Sequence, residues 1–359
     1  MFKTIDIYLI KLFMKKIINV TLVFLSLVFI LSVFEEISFF KNINVNPFFP
    51  FLLTALSSPS NLFQIFPFIF LISTQFFFLD LIKKNELEAL KTNTFNNLKV
   101  IRILFFTSFL LGIILVLLFY TFSAKLNFIY LDLKNTYSND NKYLAVVTKN
   151  GLWIKDEIND KIYITQASKI DNIYLKDVSI FEFNSNFELN QSIDAKIVDI
   201  SNFEWIIFDP IIFKNNTKIK LDEDLKILSH FNSSKISGLF RNLSSLNLVQ
   251  LIKLNEDYKL LGYSTTEIDS HLNKLYSLPL FISIMTLLAS IIMLNIKRSK
   301  PIIFHIILGI FLSVAIYYFY YLFSIMGING KIPLLTSIWL PLLILSFFIL
   351  IGLVRINEK

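Results

Sequence analysis

Six long apolar runs divide the chain, and none of them contains Asp, Glu, Lys or Arg. A bilayer core about 30 Å thick needs about 20 mostly apolar residues to cross it as a helix, because backbone N–H and C=O groups find no water there and must bond to one another. The runs cover residues 17–34, 62–79, 103–122, 278–296, 301–326 and 333–354. We therefore predict a helical membrane protein with six transmembrane helices, three before and three after a long polar insert.

The polar insert, residues 123–277, contains no run long enough to cross a membrane, and its first part alternates between apolar and polar residues. Residues 178–183 and 195–200 show this alternation, which is typical of strands with one buried face. Several such strands at short spacing favour a sandwich or a jelly-roll. From about residue 237 the leucine spacing suits helices better, and a helix starting near Thr265 leads into the fourth run. The expected domains are residues 1–122, 123–277 and 278–359.

The composition agrees with a chain that is largely surrounded by lipid. Hydrophobic residues make up 55% of it, and its mean hydropathy is +0.62, whereas soluble domains are about 45–50% apolar. Cysteine is absent, which excludes disulfides and Cys-ligated metal or iron–sulfur sites, and the chain has three histidines. We expect no metal and no cofactor.

The net charge of +7 indicates membrane topology rather than nucleic-acid binding, because most clustered Lys and Arg residues flank the apolar runs. Cytoplasmic loops of membrane proteins carry an excess of these residues. On one side the short loops hold only Lys41 and Lys331. The other side holds Lys3, Lys11, Lys15, Lys16, Lys83, Lys84, Lys91, Lys99, Arg102, Lys297, Arg298, Lys300, Arg355 and Lys359. Both termini are therefore expected in the cytoplasm, and the insert on the outside of the membrane.

The start of the first run could be mistaken for a secretory signal, since Lys11, Lys15 and Lys16 precede it. However, the run ends in Phe34-Glu35-Glu36 rather than at a small-x-small cleavage site. We therefore expect a helix that is retained.

A short segment between the second and third runs, Asn85-Glu86-Leu87-Glu88-Ala89-Leu90-Lys91, combines good helix formers with acid early and base late. It has too few apolar residues to bury itself. Two interpretations stay open. Either it forms a short cytoplasmic helix at about residues 84–95 that docks a partner, or it is a solvated loop with ordinary helix propensity.

The sequence of this segment resembles that of a known protein family. Its acid-Leu-x-Ala-Leu-basic run at residues 86–91, after a Phe-rich second run that contains Pro67, resembles the cytoplasmic coupling segment of the LptF/LptG lipopolysaccharide-export permeases. Further similar positions are Gly151-Leu152-Trp153, residues 272–279, and Gly330 with Pro333, Trp339 and Pro341. In order and spacing the resemblance covers essentially the whole chain. Thr94 differs, since it stands where the family usually has a glycine.

The resemblance implies a fold, a role and partners. The fold would be six transmembrane helices around an inserted periplasmic β-jelly-roll-like domain, and the role that of a non-catalytic permease subunit of an ABC transporter. The implied partners are a cytoplasmic LptB-like ATPase dimer, a second LptF-like permease subunit, a single-span LptC-like periplasmic partner, a periplasmic bridge protein, lipopolysaccharide and the inner membrane. Coupling to the ATPase would fall to Glu86, Leu87, Glu88, Leu90 and Lys91. Phe34-Glu35-Glu36 favours the LptG-like member.

Candidate substrate contacts also follow from the resemblance. In the family, basic residues near the outer end of the first helix face the phosphates of lipid A, which makes Lys41 a candidate; an interfacial anchor is the alternative. The first and fifth helices border the opening through which lipid enters, so Tyr317, Tyr320 and Tyr321 are candidate lining residues. An interfacial aromatic belt is the alternative for these tyrosines. His305 is expected to be a helix-packing or interfacial residue rather than a proton relay.

Catalytic motifs are missing from the sequence. It has no G-x-x-x-x-G-K-[ST] loop, no G-x-S-x-G elbow and no H-E-x-x-H pair, so we expect no ATP hydrolysis by this chain. Two other classes stay open. A different ABC-type lipid or lipoprotein extractor usually places its insert after the first of its spans, whereas three spans precede the insert here. A membrane-bound enzyme acting on lipids or glycans would need clustered acids or histidines, and Glu35 and Glu36 alone are too few.

Reporter fusions test the predicted orientation. Fusions after Lys91 and after Lys300 are expected to read cytoplasmic, and fusions within residues 123–277 to read periplasmic, because the basic residues cluster on one side. The measurement is the activity of a periplasm-dependent reporter against a cytoplasm-dependent one. A periplasmic signal after Lys91 would contradict the arrangement with six helices.

Overall fold

The chain folds into two compact units in the computed structural model. The structure describes residues 4–41, 43, 45–92, 96–137, 152–158, 161–171, 173–214, 217–221, 223–233, 236, 242–260, 263–295 and 301–357. A helical unit comprises Met1–Tyr130, Ser244–Leu248 and Thr266–Lys359. A β unit comprises Leu131–Leu243 and Val249–Thr265.

Long helices dominate the helical unit. The α-helices described in the chain are α1 (Thr4–Phe39), α2 (Phe49–Gln64), α3 (Phe66–Lys83), α4 (Glu86–Thr92), α5 (Asn97–Ile114), α6 (Tyr120–Asn135), α7 (Leu248–Leu260), α8 (Thr266–Leu294), α9 (Ile302–Ile328) and α10 (Leu334–Asn357). Of these, α7 lies almost wholly in the β unit. A π-helical turn, Leu115–Phe119, joins α5 to α6. Six described stretches are long and apolar enough to cross a membrane, namely Thr4–Phe39, Phe66–Lys83, Asn97–Asn135, Thr266–Leu294, Ile303–Ile328 and Leu334–Arg355. The predicted six-helix pattern is confirmed.

The second span differs from its predicted bounds, because the helix breaks at Ile65. α2 ends at Gln64, and α3 begins at Phe66 with Pro67 in its first turn. Proline has no N–H to donate, and its ring collides with the carbonyl four residues earlier, so it kinks or breaks a helix. The apolar run that starts at residue 62 is therefore shared between two helices.

α2 packs on α1 and was not predicted by the apolar pattern. Its buried residues include Thr54, Ser57, Ser58 and Ser60, and Ser58 Oγ donates to the carbonyl of Thr54 at 2.6 Å. A hydroxyl that bonds to its own helix needs no outside partner and can be buried away from water. Periodicity does not reveal this helix, because its buried face carries hydroxyl groups as well as apolar side chains.

α3 and α8 are the innermost of the described spans. Their most apolar stretches are 67% and 72% buried, against 17–28% for the other four. Gly112 of α5 lies against α8, where a Cβ on the glycine would come within 2.6 Å of Pro279 Cα. Ser108 Oγ and Thr286 Oγ1 lie 2.9 Å apart between the same two helices. Small residues let the two backbones approach closely, which is how helices associate in lipid.

The backbone conformation of Gly330 explains why α9 ends there. It adopts a left-handed conformation (φ 70°), its N–H donates to the carbonyl of Gly327 at 3.0 Å, and the N–H of Lys331 donates to the carbonyl of Met326 at 2.9 Å. This pair of bonds is the Schellman arrangement, which favours glycine at the left-handed position. The turn into α10 therefore needs the glycine that the sequence comparison singled out.

The β unit contains one antiparallel sheet in its described part. The strands are β1 (Leu152–Ile158), β2 (Lys161–Asp171), β3 (Tyr174–Phe183), β4 (Leu189–Asp199), β5 (Glu204–Phe208), β6 (Ile211–Lys214), β7 (Thr217–Lys220) and β8 (Leu225–Leu228). The main order is β1-β2-β3-β4-β5-β8, and β6 pairs with both β4 and β7. The predicted β domain between two sets of spans is confirmed. Gly151, part of the glycine-aromatic strand motif, lies outside the described residues.

Asp156 joins the two ends of this strand order. It occupies a buried position on β1, and its Oδ2 accepts hydrogen bonds from Ser229 Oγ (2.8 Å) and from the backbone N–H of His230 (2.9 Å). Its Oδ1 lies 2.7 Å from His230 Nδ1. Ser229 and His230 directly follow β8, so the sheet curls until its first and last strands meet. We name the contact among Asp156, Ser229 and His230 the seam clasp.

A second buried carboxylate ties three strands of the sheet together. Glu182 on β3 accepts hydrogen bonds from Lys161 Nζ on β2 (2.9 Å) and from Gln191 Nε2 on β4 (2.8 Å). Burial alone would raise the pKa of Glu182, but the bonds from Lys161 and Gln191 outweigh it and hold the pKa below its ordinary value of 4.5. A lowered carboxyl pKa stabilises the fold above that value, and the contribution is lost as pH falls through the lower, folded-state pKa. Acid therefore weakens the sheet at this point.

Replacing the clasp carboxylate tests its contribution to stability. Asp156→Asn leaves one acceptor oxygen and places an amide where Ser229 and His230 donate, so the free energy of unfolding is expected to fall by about 1–3 kcal/mol. Trp205 provides the signal, since its Nε1 donates to the carbonyl of Phe231, beside the clasp, at 2.6 Å. The measurement is denaturant unfolding of the full chain in detergent, followed by Trp205 fluorescence with Trp153→Phe and Trp339→Phe in place.

The matched control for this experiment is Glu157→Gln. Glu157 is the next residue on β1 and is exposed on the opposite face of the strand, so its replacement is expected to change the unfolding free energy by less than about 0.5 kcal/mol. Equal denaturant midpoints of unfolding for Asp156→Asn and Glu157→Gln would show that the seam clasp contributes nothing to stability.

Candidate functional site

A sharp turn leads from α3 into the short helix α4. Asn85 stands between them in the left-handed conformation (φ 57°), which asparagine tolerates better than most residues. The segment 86–92 is helical rather than a loop. Asn93, Thr94 and Phe95 lie outside the described residues. Thr94 is the position at which the family usually has a glycine.

The candidate coupling residues lie on different faces of α4. Leu87 and Leu90 are half-buried, whereas Glu88 is exposed. Glu86 Oε2 accepts a hydrogen bond from the Tyr8 hydroxyl of α1 at 2.8 Å. The structure thus ties Glu86 to its own chain and leaves Glu88 facing outward. The side chain of Lys91 lies outside the described residues.

An ion pair adds a second link between α1 and the helices beside it. Lys16 of α1 forms an ion pair with Asp80 of α3, three residues before α3 ends. Together with Tyr8 and Glu86, this pair ties the first half of α1 to both α3 and α4. We name these four residues the α1 tether. A displacement of α4 would be passed to α1 through the tether.

An apolar cleft of about 260 Å³ lies between α1 and α9. Phe24 of α1 and Tyr317 of α9 line its two sides, and Phe281 of α8 also lines it. Ile65, at the break between α2 and α3, and Pro67 line the cleft as well. α9 packs on α3, α8 and α10, and α1 packs on α2, α3 and α5. The cleft therefore lies beside two spans that share no extended contact with each other.

The three candidate tyrosines of α9 have different surroundings. Tyr317 is exposed and lines the cleft, and Tyr321 is exposed as well. Tyr320 is buried: its hydroxyl lies 3.3 Å from Ser277 Oγ, and its ring packs on Phe281 of α8 with centroids 5.0 Å apart. Tyr317 and Tyr321 can meet a lipid, whereas Tyr320 fixes α9 to α8.

The comparison with known families agrees with this arrangement of spans and β unit. The family model of the lipopolysaccharide export system permease LptF/LptG matches residues 7–355. This chain belongs to the LptF/LptG family. No curated protein matches it.

Membership identifies the chain as a multi-pass inner-membrane permease, a non-catalytic subunit type of the lipopolysaccharide-export ABC transporters. The match covers LptF and LptG together. The preference for an LptG-like member, based on Phe34-Glu35-Glu36, therefore stays a prediction.

Two residues near the end of α1 occupy contrasting positions in this LptF/LptG permease. Lys41 is exposed in the turn that follows α1, and it forms no ion pair with any residue that the structure describes. Glu36 is buried, and its Oε1 accepts a hydrogen bond from the Tyr130 hydroxyl of α6 at 2.8 Å. Lys41 is available to an anionic ligand, whereas Glu36 holds α1 to α6.

Sequence reasoning missed the residues that connect the parts of the permease. Tyr8 and Asp80 carry no motif, and Tyr130 lies far from Glu36 in the sequence. The one usable signal was Asp80, a lone acid just beyond an apolar run with Lys16 beside another run. His305 matches its predicted packing role: it is buried, and its backbone carbonyl accepts a bond from Gln75 Nε2 at 3.1 Å.

Three substitutions separate docking of the ATPase from transmission of the movement of α4 to α1 within the permease. Tyr8→Phe removes the hydroxyl that bonds Glu86 and is expected to leave ATPase recovery intact while lowering lipid-stimulated ATP hydrolysis, because α4 loses its link to α1. Glu88→Lys reverses the outward charge and is expected to lower recovery of the ATPase about fivefold or more. Glu86→Lys should impair both, since it removes the acceptor of Tyr8 and places a second cation near Lys84.

The measurements are co-purification of the ATPase with the tagged permease, and ATP hydrolysis with and without lipopolysaccharide. Membrane insertion of each variant serves as the control. If Glu86→Lys and Glu88→Lys both leave recovery and stimulated hydrolysis unchanged, α4 is a solvated helix without a docking role. If Tyr8→Phe alone leaves stimulated hydrolysis unchanged, the bond between Tyr8 and Glu86 transmits nothing.

Proposed function

We propose that this permease removes lipopolysaccharide from the outer leaflet of the inner membrane and passes it to a periplasmic bridge, driven by an LptB-like ATPase dimer. A second, LptF-like permease subunit would close the transport cavity, and a single-span LptC-like protein would receive the lipid on the periplasmic side. In this arrangement both termini and α4 face the cytoplasm, and the β unit faces the periplasm. The basic loops of the chain support that orientation.

The observation that carries this proposal is the α1 tether beside the apolar cleft. α4 contacts α1 through Glu86 and Tyr8, and α1 lines the cleft through Phe24. Closure of the ATPase dimer would push α4, the bond between Glu86 and Tyr8 would pass that movement to α1, and the cleft between α1 and α9 would change its width. Lipid would thus enter in one state of the ATPase and leave in the other.

Apolar side chains would receive the acyl chains at each stage. The exposed faces of α1 and α9 carry residues such as Leu27, Leu31, Phe311 and Val314. Exposing acyl chains to water costs about 0.8 kcal/mol per CH₂ group, which for a lipid with several chains is prohibitive. The β unit would accept the chains along the inner face of its curled sheet, and the seam clasp would have to open if lipid enters between β1 and β8.

Lys41 would meet a phosphate of the lipid A head group. An exposed ammonium at the end of a span lies where lipid phosphates lie, and a charge-assisted bond between them is about twice as strong as a neutral one. Tyr317 and Tyr321 would contact the lipid at the cleft. Their exposure supports this assignment, whereas the burial of Tyr320 supports a packing role.

The two alternatives have less support. A different ABC-type lipid or lipoprotein extractor shares the general plan, but the match to LptF/LptG extends over residues 7–355. A lipid- or glycan-modifying enzyme would need acids that reach a substrate, and Glu36 is buried against Tyr130 instead. Identification of the ATPase that co-purifies with the chain would separate the first alternative from the proposal.

Substitution of Lys41 tests the substrate contact. Lys41→Glu is expected to lower lipopolysaccharide export about tenfold, because one lost charged contact of about 1.4 kcal/mol corresponds to that factor. Lys41→Arg keeps the charge and should retain most of the export. A photo-crosslinking residue at position 41 should capture lipopolysaccharide. The measurement is the amount of lipopolysaccharide released from membrane vesicles per unit of ATP hydrolysed.

Lys41→Trp and a control at Lys331 separate the phosphate contact from an interfacial anchor. Tryptophan holds a helix end at headgroup level as well as lysine does, so full export with Lys41→Trp would support the anchor and sink the phosphate contact. Lys331→Glu changes an exposed lysine in the turn after α9, on the same predicted side of the membrane, and is expected to leave export unchanged.

A further inference from the structure

A second cleft of the helical unit lies at the other end of the spans and takes no part in the transport pathway proposed above. It measures about 600 Å³ and lies among α5, α8 and α10. Lys99, Arg102 and Phe105 line it from α5, Leu287 from α8 and Leu353 from α10. It is separate from the cleft between α1 and α9, with which it shares no lining residue.

The lining residues change from charged to apolar along the helices. Lys99 and Arg102 lie three residues apart near the start of α5, and so share one face of the helix about 4.5 Å apart along its axis. Phe105 follows about 4.5 Å deeper on the same face. Leu287 lies one turn or more before the end of α8, and Leu353 lies one turn before the end of α10. Cations therefore stand at the helix ends, and apolar side chains lie behind them.

This gradient matches the chemistry of a phospholipid. Its phosphate lies at the membrane surface and its acyl chains extend inward, in the same order as the two basic residues and the apolar wall. Arg102 is exposed, and it forms no ion pair within the part of the chain that the structure describes. A guanidinium binds phosphate through two parallel hydrogen bonds, which makes Arg102 the better of the two phosphate ligands.

We propose that this cleft binds one anionic phospholipid of the cytoplasmic leaflet, with its headgroup phosphate at Lys99 and Arg102 and its acyl chains along Phe105, Leu287 and Leu353. The choice of leaflet rests on the topology in the proposed function, which puts the start of α5 at the cytoplasmic surface. Basic pockets between spans on that side attract anionic headgroups, because that leaflet carries negative surface charge. Lipopolysaccharide is the less suitable occupant, since it would load from the opposite leaflet.

The space beside Lys99 and Arg102 favours lipid binding over simple anchoring of a helix end at the interface. Lysine and arginine often extend to the interface merely to hold a helix end in place, and this needs no space beside them. Here the two cations border a depression of about 600 Å³, and three helices supply its apolar wall. A retained lipid would fill the gap beside α8, one of the two most buried spans described.

Native mass spectrometry of the purified full chain tests the site. The protein is delipidated in mild detergent, incubated with equal amounts of phosphatidylglycerol and phosphatidylcholine, and examined for retained lipid. The wild type is expected to keep one phosphatidylglycerol in preference to phosphatidylcholine. The double variant Lys99→Gln/Arg102→Gln should bind it about tenfold to thirtyfold more weakly, because each cation near a lipid surface contributes a several-fold factor.

Two further variants separate the cleft from general surface charge. Lys11→Gln/Lys15→Gln removes two exposed lysines of α1 on the same predicted side, away from the cleft, and should retain phosphatidylglycerol normally. Leu353→Trp narrows the apolar wall without changing charge and should weaken retention. Gel-filtration elution of each variant shows that it is still folded.

The outcomes distinguish this proposal from the proposed function. Equal retention by the wild type and Lys99→Gln/Arg102→Gln would overturn the lipid site, and so would equal retention of phosphatidylglycerol and phosphatidylcholine. A further incubation with lipopolysaccharide completes the test: preferential binding of it at these residues would make the cleft a substrate subsite and overturn the phospholipid assignment. Because retention is measured in detergent, it does not depend on export activity or on ATPase coupling, so either proposal can fail alone.

Discussion

The absence of water in the hydrocarbon core is the constraint on which the helical unit depends, because each backbone polar group there must bond inside the protein and a buried side chain gains from doing so. Ser290 of α8 meets it by donating to the carbonyl of Thr286 in its own helix at 2.8 Å. Gln75 of α3 is fully buried and donates across to the carbonyl of His305 at 3.1 Å. Gly309 gives it room, since a Cβ there would lie 2.0 Å from Gln75 Nε2. Polar groups thus join α9 to α3 in addition to apolar packing.

The same bonds decide which parts of the two spans beside the cleft are held. α9 is joined to α3 at Gln75, whereas Tyr317, about 12 Å further along the helix from Gly309, lines the cleft. α1 is joined to α3 by the ion pair between Lys16 and Asp80. Both spans are therefore fixed to one central helix near one end. Each span is also held further along, α1 by the bond between Glu36 and Tyr130 of α6, and α9 by Tyr320 against α8.

The β unit solves a different problem, since a sheet leaves unpaired backbone groups at its edges. Here the first and last strands of the main order meet, and Asp156 accepts bonds from Ser229 and His230 across the junction. A carboxylate that faces inward is costly unless its partners are present, so it favours the curled form of the sheet over an open one. Glu182, bonded to Lys161 and Gln191, holds the neighbouring strands in the same way.

The sequence by itself determined the six spans, the inserted sheet and the family, because span length, absence of charge and alternation are local properties. It also indicated Gly330, since a left-handed turn favours glycine. Only the tertiary structure decided that Tyr320 turns inward while Tyr317 faces the cleft, and that Glu86 bonds to Tyr8, 78 residues away. Periodicity cannot supply such pairs, because a partner distant in the sequence is set by how whole helices pack. The buried serines of α2 show the same limit: a hydroxyl counts as polar in a sequence, and only the fold shows that it bonds to its own helix.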